Sequence, residues 1–149
     1  MELNDETLRF IREHCKDDVR NLALQAPKYP GVDMPVALTQ IAGRQAAAEK
    51  IPSWHEEEGI LYPRHLSLEQ CSSEATARYK ASIIPESSSG TLTDLTGGFG
   101  IDCAFLSPKF HHVTYVERQE VLCEIASHNF PLLGLNHIRI DRKSTRLNS

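Results

Sequence analysis

The fold class of this chain follows from one short segment, Asp94-Leu95-Thr96-Gly97-Gly98-Phe99-Gly100-Ile101-Asp102. The residues just before the glycines, 91–95, form a short β-prone run, and a helical pattern of apolar residues starts at Ile101. A chain that reverses sharply from a strand into a helix needs residues without a Cβ, and Gly98 and Gly100 meet that need. The segment therefore predicts a strand, a glycine-rich turn and a helix in direct succession.

The pattern continues toward the C-terminus with alternating strand and helix signals. Residues 112–116 are rich in β-formers, residues 119–129 have helical spacing, and residues 136–140 resemble the start of a third strand. A strand, a turn, a helix, a strand and a helix open a doubly wound α/β sheet. We therefore expect residues 90–140 to form the opening β-α-β-α units of a Rossmann-like domain.

The first part of the chain reads as helical. Apolar residues recur at helical spacing over residues 5–51, with a break near residues 16–18. Ser67 and Gln70 fit a capping box, which predicts a helix from Ser67 to about residue 83. The polar run 85–90 then marks a boundary, so residues 1–86 are expected to form a separate helical domain. The apolar residues expected to be buried on the capping-box helix are Leu68, Cys71, Ala75, Tyr79 and Ile83.

Composition and charge narrow the function classes. The 149 residues are 40% hydrophobic and carry a net charge of −4, which is ordinary for a soluble protein and offers no basic surface for nucleic acid. No apolar run is long enough to span a membrane, and the acidic N-terminus lacks a signal sequence, which favours the cytoplasm. The four cysteines form no Cys-x-x-Cys pair, so we expect no metal site.

An acidic residue at the end of the second strand adds chemistry to the glycine turn. Glu117 follows the β-rich run and lies nineteen residues after Gly98. A carboxylate at that position can accept hydrogen bonds from the two hydroxyls of a ribose. The turn and the acid together predict a site for a cofactor that contains a nucleoside.

The identity of that cofactor depends on the other residues of the turn. A dinucleotide motif would need a third glycine where Cys103 stands, and the chain contains no phosphate-binding Gly-x-x-x-x-Gly-Lys run. Asp94, beside the turn, would repel a pyrophosphate and attract a cation. S-adenosylmethionine combines an ammonium group, a sulfonium and a ribose, and is the cofactor that these residues favour.

The same residues resemble a known family. Asp94-x-Thr96-Gly97-Gly98-x-Gly100-x-Asp102 resembles the first motif of class I S-adenosylmethionine-dependent methyltransferases, and Val116-Glu117-Arg118 resembles the second. The stretch from about residue 7 to residue 138 is similar to a Bacteroidetes-type methyltransferase family. Its members have an N-terminal helical region, a methyltransferase domain and a THUMP-like C-terminal domain. Ile41-Ala42-Gly43, Lys50-Ile51-Pro52-Ser53-Trp54 and Leu68-Glu69-Gln70-Cys71-Ser72-Ser73-Glu74 also carry this resemblance.

The resemblance implies a role for each matching residue. Glu117 would hold the ribose and Arg118 would lie near the adenine. Asp102 would either contact the ligand or favour the helix N-terminus electrostatically, and Phe99 would belong to the core or to the pocket wall. A second candidate set comprises Gln70, Ser72 and Ser73. These residues would either cover the methionine end of the cofactor or form only a helix cap and part of the helix surface. The loop on the methionine side of the cofactor would comprise Asp94, Thr96, Gly97, Gly98 and Gly100.

The catalytic strand of the family has no counterpart in this sequence. Class I enzymes that act on amines carry an Asp/Asn-Pro motif after the fourth strand, and no such dipeptide occurs here. The catalytic residues are therefore not identified. The family pattern stops after Ile138, and residues 141–149 resemble a non-native tail. We expect an N-terminal fragment that is inactive alone, from an enzyme that acts on RNA, because THUMP-like domains accompany RNA-modifying enzymes.

Three other functions are compatible with the residues. A nucleotide-dependent oxidoreductase would use the same turn and acid. A non-catalytic helical interaction module, or a relic of an enzyme, would need the glycine turn only for packing. A methyltransferase that acts on a small molecule would share the cofactor but would lack an RNA-binding module.

Overall fold

The computed structural model describes residues 2–85 and 90–142, which form eight α-helices and three β-strands. Short 3-10 turns at Ala26–Lys28 and Ser107–Lys109 connect some of these elements. The elements, in chain order, are α1 (Asp5–Glu13), α2 (Val19–Leu24), α3 (Met34–Lys50), α4 (Pro52–Glu56), α5 (His65–Gln70), α6 (Glu74–Ser82), β1 (Thr91–Asp94), α7 (Ile101–Leu106), β2 (His112–Val116), α8 (Glu120–Leu132) and β3 (Ile138–Asp141).

The three strands form one parallel sheet in the order β1-β2-β3. Leu92 pairs with Val113, and Val113 pairs with Ile138 on its other side. Helices α7 and α8 connect successive strands, so the carboxyl ends of all three strands meet at one edge of the sheet. The predicted α/β class with parallel strands is confirmed, whereas the assignment to an opening Rossmann-like domain stays a prediction.

Strand β3 extends one residue further than the sequence analysis expected. The sequence places Asp141 in a non-native tail over residues 141–149, but Asp141 pairs with Val116 in the sheet. The backbone N–H of Glu117 also donates to the carbonyl of Asp141 at 3.2 Å. Residues 143–149 lie outside the described residues.

None of the helices in the described ranges is long and apolar enough to cross a membrane.

The first three helices pack around a small hydrophobic cluster of their own. The side chain of Asn4 caps α1 by accepting from the N–H of Thr7 at 2.8 Å. The predicted break is confirmed, because α1 ends at Glu13 and α2 starts after Asp18, whose carboxylate caps it. The cluster consists of Phe10, Ile11, Leu22, Met34, Ala37 and Ile41.

The single helix predicted from Ser67 to about residue 83 is wrong. Helix α5 begins earlier, at His65, and ends at Gln70, and α6 begins only at Glu74. Ser73 is the residue that caps α6, since its hydroxyl accepts from the N–H of Thr76 at 3.2 Å. Because of this break, α6 buries a different face from the one predicted. Ala77 is buried, whereas Ala75 is exposed and Tyr79 and Ile83 are 68% and 64% exposed.

The main hydrophobic core draws on both sides of the predicted domain boundary. Trp54 of α4 packs edge-on against Phe99 of the glycine turn, with ring centroids 5.1 Å apart. Tyr62 approaches Phe99 as well, with centroids at 5.9 Å. The division into domains 1–86 and 90–140 stays a prediction, and residues 86–89 at the boundary lie outside the described residues. The helical part and the sheet nevertheless share one core.

A buried polar contact also joins the two parts. Asn129 of α8 is fully buried; its Oδ1 accepts from the N–H of Leu61 and its Nδ2 donates to the carbonyl of Leu61, both at 2.9 Å. One side chain thus satisfies both backbone groups of a residue that belongs to the connection between α4 and α5. This connection is held to α8 at a fixed register.

Replacing Asn129 with alanine should destabilise the protein strongly. The Asn129→Ala change leaves the N–H and C=O of the partly buried Leu61 without their side-chain partner and opens a gap at a fully buried position, which we expect to lower the free energy of unfolding by roughly 2 to 3 kcal/mol. Urea denaturation followed by circular dichroism measures this loss. Asn21→Ala, at an exposed position of α2, is the matched control, and equal losses in both variants would contradict the role given to Asn129.

Candidate cofactor-binding site

The glycine turn lies at the carboxyl end of β1 and is held against β2. Gly98 has a left-handed backbone with φ of 56°, which favours glycine. A Cβ on Gly97 would lie only 2.3 Å from the ring of Tyr115, so this position also requires glycine. The N–H of Gly97 donates to the carbonyl of Val116 at 2.9 Å. The turn is therefore shaped by its contact with the neighbouring strand.

Tyr115 supports the turn from below. Its side chain is fully buried within the sheet, and its hydroxyl donates to the carbonyl of Gly98. The ring also meets Phe130 of α8 edge-on, with centroids 5.6 Å apart. The glycine turn, the central strand and α8 are thereby tied to one aromatic side chain.

Glu117 closes the other side of the turn. The residue is only 8% exposed, and its carboxylate accepts from the N–H of Gly98 at 3.1 Å and from the N–H of Gln119 at 2.7 Å. Each carboxylate oxygen has a second lone pair, so the group retains acceptor capacity for ligand hydroxyls. Two backbone N–H groups thus orient the carboxylate before any ligand arrives.

A cavity of about 360 Å³ opens above the turn, at the carboxyl ends of β1 and β2. Eight of the nine predicted cofactor residues line it, whereas Arg118 is exposed and is not among the lining residues. From the second predicted set, Gln70 and Ser72 line the cavity and Ser73 instead caps α6. The predicted residues that line the cavity are Asp94, Thr96, Gly97, Gly98, Phe99, Gly100, Asp102, Glu117, Gln70 and Ser72.

Sequence reasoning missed five further lining residues: Ser67, Cys71, Ile101, Gln119 and Leu122. Ser67 and Cys71 reach the cavity because α5 ends there, and the ammonium group of Lys50 fixes that end by donating to the carbonyls of Leu68 and Glu69 at 2.7 and 2.8 Å. No local sequence motif predicts the contact between Lys50 and the end of α5. Gln119 is the exception, because it directly follows the motif that contains Glu117.

The cavity has a strongly acidic lining. Three carboxylates, those of Asp94, Asp102 and Glu117, face a cavity whose described lining residues include no lysine or arginine. Burial raises the pKa of Asp94, and the charges of Asp102 and Glu117 raise it further, against the lowering effects of the Thr96 N–H and Lys80. Such a lining attracts a cation and repels a phosphate.

Asp102 is held by residues outside its own helix. Its Oδ2 accepts from the hydroxyl of Ser72 at 3.1 Å and from the ammonium group of Lys80 at 3.0 Å. Its Oδ1 is buried and has no hydrogen-bond partner among the described residues. A buried acceptor without a partner is costly, so the surroundings of Asp102 are unfavourable in the ligand-free protein.

Phe99 serves the core and the cavity together. Only 2% of it is exposed, and it packs against Trp54 and Tyr62 while also lining the cavity. The two roles that the sequence left as alternatives are therefore combined.

Within the described ranges, no group of three or more His, Cys, Asp or Glu side chains is arranged to hold a metal ion.

Comparison with known proteins supports the fold class. No protein-family model matches the chain, and no curated protein matches it significantly. Among solved structures, the chain is similar to the crystal structure of a "putative methyltransferase from Porphyromonas gingivalis W83", with a TM-score of 0.72 and 28% sequence identity. The similarity covers 95% of this chain and 36% of that protein. The chain therefore has a methyltransferase-like fold and spans about a third of its neighbour's length.

Replacing Asp94 with asparagine should stabilise the ligand-free protein at neutral pH. Because the pKa of Asp94 is raised above its ordinary 3.8, its ionisation costs folding free energy, and stability falls as pH rises through the folded-state pKa. Asp94→Asn keeps the Oδ1 acceptor for the Thr96 N–H and removes the charge. We expect a gain of about 0.5 to 1 kcal/mol at pH 7.

Thermal unfolding at pH 7 and near pH 4 measures this effect. The gain should shrink toward the lower pH, where Asp94 of the wild-type protein becomes protonated. Glu49→Gln removes one charge from an exposed position of α3 and is the matched control. An Asp94→Asn variant that is less stable than wild type at pH 7 would contradict the proposed repulsion.

Proposed function

We propose that this chain forms the S-adenosylmethionine-binding part of a methyltransferase. The observation that carries the proposal is the acidic cavity, in which an oriented Glu117 lies beside a glycine turn and two further carboxylates. The similarity to the Porphyromonas gingivalis protein supports methyl transfer at a coarse level.

The residues of the cavity fit the parts of this cofactor. Its volume of about 360 Å³ falls in the range typical of small-molecule sites. Glu117 would accept from the ribose hydroxyls, and the carboxylate of Asp102, whose side chain is 33% exposed, would attract the ammonium group. Asp94 would add negative charge near the sulfonium. Ile101 and Leu122 would supply apolar walls for the adenine.

The bound cofactor would supply an electrophilic methyl group on its sulfonium. The residues of this chain would bind it, orient it and exclude water, which are the main contributions of a protein to a direct displacement. The acceptor side and its catalytic residues are not assigned. Because the sequence contains no Asp/Asn-Pro motif of a catalytic strand, we propose that methyl transfer needs residues beyond those of this cavity.

The acidic lining favours this cofactor over a dinucleotide. The pyrophosphate of a nicotinamide cofactor would meet three carboxylates without a basic residue among the described lining. Cys103, which stands at the third glycine position of a dinucleotide motif, is fully buried. A titration with NADH should therefore give no binding under conditions in which S-adenosylmethionine binds.

RNA is the proposed methyl acceptor, and this part of the proposal is supported by the sequence resemblance alone. Transfer of a labelled methyl group from S-adenosylmethionine into total RNA, compared with a pool of small metabolites, separates an RNA enzyme from a small-molecule enzyme. Absence of cofactor binding would favour the interaction module or relic.

Glu117→Gln should weaken the binding of every ligand that contains the nucleoside. An amide replaces one acceptor oxygen with a donor, which would face either a backbone N–H or a ribose hydroxyl. We expect the affinity for S-adenosylmethionine, S-adenosylhomocysteine and 5′-methylthioadenosine to fall about tenfold or more by calorimetry. Glu120→Gln, at an exposed position at the start of α8, is the control, and unchanged affinities in Glu117→Gln would refute the ribose contact.

Asp102→Asn should discriminate among the same three ligands. 5′-Methylthioadenosine lacks the amino-acid group, whereas the other two ligands carry its ammonium. Loss of the carboxylate charge should weaken those two by about tenfold and leave 5′-methylthioadenosine unaffected. A uniform loss for all three ligands would point to a general disturbance of the turn and would contradict the assigned contact.

A further inference from the structure

The charges around the proposed cofactor cavity are unbalanced. Asp94 at the end of β1, Asp102 of α7 and Glu117 after β2 all belong to its lining, whereas the described lining residues include no lysine or arginine. These carboxylates come from three separate elements, which the fold brings to one space. A ligand in this cavity therefore meets the negative charge of all three groups.

Neutral donors hold two of these carboxylates. Asp94 accepts from the N–H of Thr96 at 3.1 Å, and Glu117 accepts from the N–H groups of Gly98 and Gln119 at 3.1 and 2.7 Å. A backbone N–H orients a carboxylate and favours its ionised form, but it brings no full positive charge to cancel that of the carboxylate. The hydrogen bonds therefore fix the two groups and leave their negative charge in place.

Lys80 of α6 is the cation that pairs with the third carboxylate in the described part of the chain. Its ammonium group donates to Oδ2 of Asp102 at 3.0 Å and to the hydroxyl oxygen of Ser72 at 3.2 Å. Lys80 is not one of the lining residues, and 44% of its side chain is exposed, so water weakens its effect inside the cavity. Lys80 therefore offsets part of the charge of one carboxylate, and an excess of negative charge is left.

The pKa of Asp94 reflects the same excess. Burial is the largest cause of its rise, and the charges of Asp102 and Glu117 add to it, whereas the N–H of Thr96 and the charge of Lys80 lower it. The ionised form of Asp94 is thus unfavourable in the ligand-free protein. A positive charge in the cavity would stabilise that form.

The proposed cofactor and its product differ in charge at one atom. S-adenosylmethionine carries a positive sulfonium. Transfer of the methyl group leaves the electron pair of the carbon–sulfur bond on sulfur, and S-adenosylhomocysteine is therefore a neutral thioether with the same adenine, ribose and amino-acid groups. The hydrogen bonds that the cavity offers are available to both ligands, so the electrostatic interaction with the carboxylates is what separates them.

We propose that this cavity selects the sulfonium cofactor over its neutral product by charge, with Asp94 as the specificity-determining residue and Lys80 as the residue that limits the selection. This inference rests on the proposed function. It adds that the product is held more weakly than the cofactor, because methyl transfer removes the charge that the carboxylates attract. The site would then bind fresh cofactor in the presence of its own product.

Calorimetric titrations of the whole chain at pH 7 with three ligands test the proposal. The ligands are S-adenosylmethionine, S-adenosylhomocysteine and sinefungin, which carries a protonated amine where the cofactor carries its methylated sulfur. We expect the two positively charged ligands to bind about tenfold more tightly than S-adenosylhomocysteine.

The other outcomes separate the two proposals. If S-adenosylhomocysteine binds as tightly as S-adenosylmethionine, selection by charge is wrong and the proposed function stands. Selection by charge is also wrong if sinefungin binds only as weakly as S-adenosylhomocysteine. If none of the three ligands binds, the proposed function fails and this inference fails with it.

Asp94→Asn should reduce the preference for the charged ligand. The amide keeps the acceptor for the N–H of Thr96 and removes the negative charge, so the affinity for S-adenosylmethionine should fall about fivefold and that for S-adenosylhomocysteine should stay nearly unchanged. Glu49→Gln, at an exposed position of α3, controls for the change in net charge. An equal loss of affinity for both ligands in Asp94→Asn would overturn its role in specificity.

Lys80→Met should change the preference in the opposite direction. Removal of the ammonium group leaves Asp102 unpaired, so the ratio of the two affinities should shift about threefold further toward S-adenosylmethionine, and Lys80→Arg should keep the wild-type ratio. Lys16→Met, at an exposed position before α2, is the matched control. A disturbed fold would weaken both ligands and would not widen their ratio. A ratio that narrows or stays constant in Lys80→Met would contradict the role given to Lys80.

Discussion

Tyr115 stands on the central strand with its ring directly under Gly97 and its hydroxyl on the carbonyl of Gly98. This contact sets the height of the glycine turn above the sheet. The position of the turn then determines where its N–H groups point, and one of them orients Glu117. Phe130 of α8 packs against the same ring, so the helix that follows Glu117 is placed by the same side chain.

In the acidic cavity, the stability of the ligand-free protein and the proposed binding of a cationic cofactor oppose each other. Three carboxylates share a half-buried space, and the pKa of Asp94 rises as a result. Lys80 and Ser72 relieve part of this cost through one oxygen of Asp102, and leave the other oxygen without a partner among the described residues. Proteins keep such unfavourable groups mostly at functional sites, which is consistent with the function proposed for this cavity.

Sequence reasoning succeeded where a structural feature depends on neighbours in the chain. The turn that contains Gly98 and the strand that ends before Glu117 were predicted from local periodicity and from residue types that only certain backbone shapes accept. Sequence reasoning failed between residues 65 and 83, where it predicted one helix and the structure has α5 and α6. Ser67 fits a capping box in the sequence but lies inside α5, and Ser73 is the residue that caps α6. The ammonium of Lys50, from α3, favours an end of α5 at Gln70 by binding its terminal carbonyls. Arg118 was placed by resemblance, but its side chain turns toward solvent.

The sequence by itself determined the α/β class and the alternation of strands and helices that makes the sheet parallel. It also determined which carboxylates line the acidic cavity. These features follow from local backbone preferences and from the rule that parallel strands bring their carboxyl ends to one edge. Tertiary structure alone decided which helix covers the cavity, how Lys80 holds Asp102, and that the helical part and the sheet share one core. It also decided that Tyr62 is buried without a partner for its hydroxyl among the described residues. These outcomes depend on contacts between residues that are far apart in the chain, and no local pattern records them.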